Sequence, residues 1–168
     1  MARPLEKDVP PDPDMTADIQ KLMEAWRSGE KAGHSYVVLL GLRTFDTAGV
    51  RECVHRGLSY RSFERFLRNL GMPQSDAAEW IQVTLRTLAR RREEGQLRSD
   101  ESDRLLRATR ILARVIELFE GDVKRAREWL QTEQPALEGT TPLDYARTEV
   151  GAREVEALIG RLEHGVPS

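Results

Sequence analysis

Four residues in one short stretch have the types and spacing to read a nucleic acid: Arg86, Thr87, Arg90 and Arg91, with Arg92 beside them. On a helix, residues three and four apart share a face. Arg86 and Arg90 therefore point together, and Thr87 and Arg91 lie one position further round. A guanidinium can bond guanine bidentately in the major groove, and neighbouring cations can neutralise phosphates. The same residues would also suit the solvated side of a charged helix. Catalysis has less behind it. His34, His55 and His164 are scattered. Cys53 and His55 are two apart and would point away from each other on a helix. Zinc-ligand spacing, a phosphate-binding glycine loop and a nucleophile elbow are all missing. The reading is a binding protein and not an enzyme, with no metal and no cofactor.

The elements needed to present those arginines are legible. Ser75 to Glu94 reads as helix, three-residue turn, helix, with a further helix over Tyr60–Leu70 before it. That is the order of a helix-turn-helix. Its second helix would enter the major groove with N-terminal residues at the base edges. Ala78 falls where the two helices approach closely, and Ile81, Val83 and Leu88 would form the small core between them. Gln82 is a departure. A turn of this kind usually takes glycine there because the backbone adopts positive φ. Glutamine must bear that cost or accept a different turn.

The rest of the chain is punctuated by caps and stops. Asp46 can open a helix to Arg56 that ends at Gly57, and Ser59 one that ends at Gly71. Thr84 can open the helix to Glu94 that stops at Gly95, and Ser99 a long helix to about Glu120. Asp122 begins a helix to about Gln131. Thr141 begins a short one with Pro142 at its first position, where the missing N–H costs nothing. Thr148 begins a last helix, with Val150, Val155, Leu158, Ile159 and Leu162 inward and Gly165 as its stop. Ahead of these, prolines and acidic residues up to about Thr16 predict a disordered tail. A short helix follows, with Ile19, Leu22, Met23 and Trp26 on one stripe, broken at Gly29 and Gly33. Tyr36–Leu40 is open between a strand and a buried helical turn.

Among 168 residues, 39% are hydrophobic and 32% charged, and the apolar residues recur at helical spacing, which argues against disorder. The net charge of −2 conceals an asymmetry: residues 51–114 carry 14 basic against 9 acidic side chains, and residues 115–168 carry 6 against 11. A basic middle and an acidic end suggest two different kinds of partner. One cysteine excludes an intrachain disulfide and suits a reducing cytoplasm. The longest apolar run, Tyr36–Leu40, is too short to span a bilayer.

Three further runs are more specific: Trp129-Leu130; Pro135-Ala136-Leu137-Glu138-Gly139-Thr140-Thr141-Pro142-Leu143-Asp144; and Thr148-Glu149-Val150-Gly151-Ala152-Arg153-Glu154-Val155. With Gly57–Arg65, Thr87–Arg91, Asp100–Arg107 and Arg161–Gly165, they resemble the Xre/MbcA/ParS-type antitoxins of bacterial toxin–antitoxin pairs. The resemblance runs from about Arg51 to Ser168. It implies an all-α fold, in which an Xre-like helix-turn-helix region, 46–98, is joined by a long helix to a small helical toxin-binding domain, together 99–168. Residues 1–45 would form the disordered tail and a short helical or extended region. It also implies a cognate RES-domain toxin that depletes NAD, operator DNA as a second partner, autoregulation of the operon, and a homodimer on a palindromic site. Trp129, Leu130, Leu137 and Leu143 are expected in the core, and Gly139 and Gly151 to serve backbone geometry or close approach. Toxin contacts are expected from Arg161, Glu163, His164, Val166 and Ser168. Relatives often carry an aromatic residue where this chain has Pro167. The alternative is a stand-alone helix-turn-helix transcription regulator without a toxin partner.

Overall fold

The computed structural model describes residues 13–28 and 34–165. Those residues contain nine α-helices and no strand: α1 (Pro13–Arg27), α2 (Thr47–Arg56), α3 (Tyr60–Leu70), α4 (Gln74–Trp80), α5 (Leu85–Glu94), α6 (Ser99–Leu118), α7 (Val123–Leu130), α8 (Pro142–Tyr145) and α9 (Glu149–Glu163). The chain is all-α. Of the predicted disordered tail, residues 1–12 lie outside the described residues, as do the predicted breaks at Gly29 and Gly33. Pro13–Thr16 are helical, contrary to the tail expectation. Proline at a helix start loses no hydrogen bond, Asp14 suits the dipole there, and Met15 is buried against the rest.

The helix starts follow local chemistry. Asp46, Ser59, Thr84, Asp122, Thr141 and Thr148 each accept the N–H of the residue three further on. Each such cap stabilises its helix by about 1 kcal/mol. α6 starts differently from the expectation. Ser99 is its first helical residue, and the position before it is Arg98. Glu101 reaches back to accept the Arg98 N–H at 2.8 Å, which satisfies the donor that a serine cap would have left.

α6 is the spine. Leu105, Ile111, Leu112, Val115 and Ile116 along it are fully buried, and α2, α3, α7, α9 and α1 all pack on it. The ambiguous segment is a 3-10 helix, Ser35–Leu40, wedged among α1, α3 and α6 with Val37 and Leu39 fully buried. Asp18 of α1 is buried and accepts from Arg65 and Asn69 of α3, with Arg68 at 3.7 Å. Asn69 also donates to the Leu39 carbonyl at 3.0 Å. The N-terminal helix is thus tied into the same core as the helix-turn-helix.

Three expected core residues are not inside. Trp26 is 47%, Val150 76% and Leu162 37% exposed. For Val150 the reason is register. The buried face of α9 is Gly151, Ala152, Val155, Leu158 and Ile159. Gly151 sets that face, because a Cβ there would lie 1.8 Å from the Tyr145 carbonyl oxygen. Only a residue without a side chain fits, so Val150 turns out. Gly139 works differently: it has φ +73° and open space around it, so it serves the backbone conformation alone.

α6 and α9 pack together, and arginines along the first meet glutamates along the second in the same order. Arg107 pairs with Glu149 at 3.1 Å, Arg110 with Glu156, and Arg114 with Glu163 at 2.8 Å. The basic middle and acidic end that suggested two outside partners therefore meet each other, at least along this seam.

Candidate nucleic-acid and protein interfaces

α4 and α5 form the predicted helix-turn-helix. Ala78, Ile81, Val83 and Leu88 are all buried between and beneath them. Gln82 takes φ +54°, the left-handed conformation that glycine adopts without strain. The cost is borne, and the side chain finds a partner: its Nε2 donates to the Arg147 carbonyl at 2.6 Å.

The candidate readers divide sharply. Arg86 and Arg90 are exposed on α5, and Arg90 has only a loose contact with Glu94, at 3.9 Å. Thr87 is half-buried, and its hydroxyl accepts from the capping Thr84 at 3.0 Å. Arg92, beside the predicted set, is exposed. Arg91 does not belong with them. It is 2% exposed, and its guanidinium grips Glu101 with two bonds of 2.7 and 2.8 Å and Glu94 with a third of 2.7 Å. The expectation that Arg91 faces DNA is corrected: it ties α5 to α6. Bonding to Glu101 above all raises the Arg91 pKa. Burial by itself would raise the Glu101 carboxyl, but Arg91 and the Arg98 N–H hold it below its ordinary value. Sequence reading also missed Leu85, which stands 55% exposed at the first position of α5. An apolar residue directly after the cap was the available signal. At the leading end of a groove-entering helix such a side chain can meet a thymine methyl.

In the C-terminal module, Leu130 and Leu137 are buried, and Trp129 and Leu143 are partly buried against the core. Glu163 is taken up by Arg114. Arg161 is half-buried, and His164 is exposed as the residue that ends α9. Val166 and Ser168 lie outside the described residues. Sequence reading missed a shallow cleft of about 450 Å³, lined by Leu118, Phe119, Glu120, Arg125, Trp129 and Leu162, the last of these lying between Arg161 and Glu163 in α9. The Arg125 guanidinium sits 5.0 Å from the centre of the Phe119 ring, a cation–π contact. No helix among the described residues is long and apolar enough to cross a membrane.

Both modules match known families. Residues 52–110 match the antitoxin Xre-like helix-turn-helix domain, and residues 114–165 the antitoxin Xre/MbcA/ParS C-terminal toxin-binding domain. The chain is 33% identical over 148 residues to an "Antitoxin Xre" of Yersinia enterocolitica, covering 87% of this chain and 92% of that protein. It is 37% identical over 87 residues to an "Antitoxin Xre" of Photorhabdus laumondii, covering 51% of this chain and 59% of that one. A third, from Pseudomonas putida, is 36% identical over 84 residues, covering 49% and 52%. With both modules matched in order, and one relative similar over most of its length, this chain belongs to the Xre/MbcA/ParS-type antitoxin family.

Proposed function

We propose that this protein binds and silences a RES-domain toxin that depletes NAD, through its C-terminal module, and represses its own operon through α4 and α5. The observation that carries the reading is the pairing, in one chain, of a matched toxin-binding domain with a helix-turn-helix whose second helix keeps Arg86 and Arg90 exposed. Arg86, Arg90 and Thr87 are the proposed DNA-facing residues, with Leu85 and Arg92 added by their exposure. Arg161, Glu163 and His164, and beyond them in sequence Val166 and Ser168, are the proposed toxin-facing ones; Leu162, between the first two, lines the cleft at Phe119 and Trp129. The protein works in the cytoplasm, as a homodimer, on half-sites one or more helical turns apart. It has no catalytic role of its own.

The test is co-purification of the tagged chain with the product of the adjacent gene, followed by mass measurement and an NAD assay on cells expressing that neighbour alone. A stoichiometric partner that drains NAD when expressed alone, and is silenced by this chain, is the expected result. A lone chain that binds its promoter and rescues nothing would instead make it a stand-alone regulator. Cutting the chain after Glu163 separates the roles: DNA binding persists and inhibition weakens if the tail reaches the toxin. An unchanged inhibition constant would dismiss the tail.

A further inference from the structure

The turn between α4 and α5 is held from outside the DNA-reading unit. Three of four consecutive residues are gripped. Glu79 accepts from Arg147 Nη2 at 2.9 Å. The Ile81 carbonyl accepts from Arg104 Nε of α6 at 2.7 Å. Gln82 Nε2 donates to the Arg147 carbonyl at 2.6 Å. Arg147 belongs to the bend between α8 and α9 and is itself steadied by Asp144 at 2.7 Å. The next residue, Thr148, caps α9. On the other side, Gln82 lies two residues before Thr84, the cap of α5. One hydrogen bond therefore spans from the start of the last helix of the C-terminal module to the start of the recognition helix. A turn that served DNA reading alone would do as well with glycine, which adopts φ +54° without strain. Glutamine accepts the strain and gains a donor that glycine lacks.

We propose that Gln82 is a latch between the two modules, through which occupancy of the C-terminal module by its protein partner changes the affinity of α5 for DNA. The inference rests on the function proposed above. The α8–α9 bend is tightly built, since Gly151 lets α9 touch the Tyr145 carbonyl. A partner that shifts α9 moves the Arg147 carbonyl with it, and the Gln82 side chain carries the shift into the turn. Coupling between two binding sites is reciprocal. DNA on α5 therefore changes partner affinity by the same factor.

The test uses the full chain as wild type, Gln82→Ala and Gln82→Gly, and a labelled duplex from its own promoter. Affinity is read by anisotropy with and without saturating partner, the adjacent gene's product. Ala removes the donor and keeps the strained φ; Gly removes both. For wild type, partner changes DNA affinity several-fold. In both variants that ratio falls to near one, the wild-type factor being at most the about threefold to tenfold that a single hydrogen bond is worth. The partner-free affinity of Gln82→Gly stays at least as tight as wild type. A residue that merely stabilised the turn would alter affinity or melting temperature and leave the ratio alone. A wild-type ratio of one, or an unchanged ratio in both variants, overturns the latch. If the wild type binds neither the duplex nor the neighbour, the proposed function has failed, and amide exchange judges the latch separately. Faster exchange at residues 147–152 in both variants supports it, and unchanged exchange there refutes it.

Discussion

Two consecutive helices carry four arginines each and use most of them in opposite ways. On α5, Arg86, Arg90 and Arg92 stand in solvent. On α6, Arg104 bonds Asp100 and the Ile81 carbonyl, Arg107 pairs with Asp103 and Glu149, Arg110 with Glu156, and Arg114 with Glu163. The arginines do not differ; what faces them does. α9 brings its glutamates to α6, while among the described residues no acidic helix pairs with Arg86, Arg90 or Arg92 of α5. A count of charge over residues 51–114 treats both rows alike and overstates what is offered to nucleic acid. The outer face of α5 is the patch proposed to face DNA. Within α5 the contrast repeats one residue apart: Arg90 faces out and Arg91 faces the core.

The largest test of that contrast is Arg91→Ala. Removing one partner of a buried, bidentate pair leaves Glu101 uncompensated and should destabilise the fold by about 3–5 kcal/mol. Chemical denaturation reads it directly. A variant as stable as wild type would erase the distinction between Arg90 and Arg91. Acid should reach the same pair without mutation. Glu101 and Asp18 both have carboxyls held below their ordinary values. Burial opposes this in each case. For Asp18 it is outweighed by Arg65 and Asn69. A lowered folded-state value means the contribution is complete above the unfolded value, near pH ~4. It is lost as pH falls through the folded value. Unfolding free energy should therefore drop on acidification below pH ~4, and the drop should shrink in Glu101→Gln. An acid profile that the substitution does not alter would contradict this.

Next in size, Arg86→Ala and Arg90→Ala should each weaken operator binding by about 1–3 kcal/mol where the side chain meets a base, or lower the salt slope by about one where it meets a phosphate. Their stability should stay within about 0.5 kcal/mol of wild type. Full affinity in the double variant would move the DNA face elsewhere. The smallest effect belongs to the α6–α9 seam. Arg114 is 39% exposed at its side chain. A double-mutant cycle of Arg114→Ala with Glu163→Ala should give a coupling of only about 0.2–1 kcal/mol. A coupling several times larger would make the seam, and not the apolar core, the main bond between these helices.

What the sequence discloses follows from the range of each interaction. The caps at Asp46, Ser59, Thr84, Asp122, Thr141 and Thr148 act across three residues, so their types and positions announce them. The positive φ at Gln82 is equally local, and is one of the two alternatives that its place in the turn leaves open. The role of its side chain is not legible there, because the acceptor lies 65 residues away. Arg91 was misassigned for a related reason. Glu101 is only ten residues on, but in another helix whose crossing angle no periodicity reveals. Val150 was assigned inward because it is apolar, whereas the register of α9 is set by a contact at Gly151 that hydrophobicity does not encode. Long-range packing decides such cases, and the exposed cleft beside Phe119 and Trp129 is one more.

The seam between α6 and α9 also has a consequence for how the chain is made. Glu163 follows Arg114 by 49 residues. At ordinary translation rates that interval is about 2–10 s. Within it the ribosome carries a nascent chain whose α6 arginines have been synthesised while Glu149, Glu156 and Glu163 are still to be added in turn. Up to Arg114 the chain carries 20 basic and 17 acidic side chains, against 26 and 28 in the finished protein, and its α6 arginines wait for their α9 partners until the last helix is made. Translation that stalls before Glu149 would release a fragment whose α6 arginines lack their α9 glutamates and whose C-terminal module is incomplete.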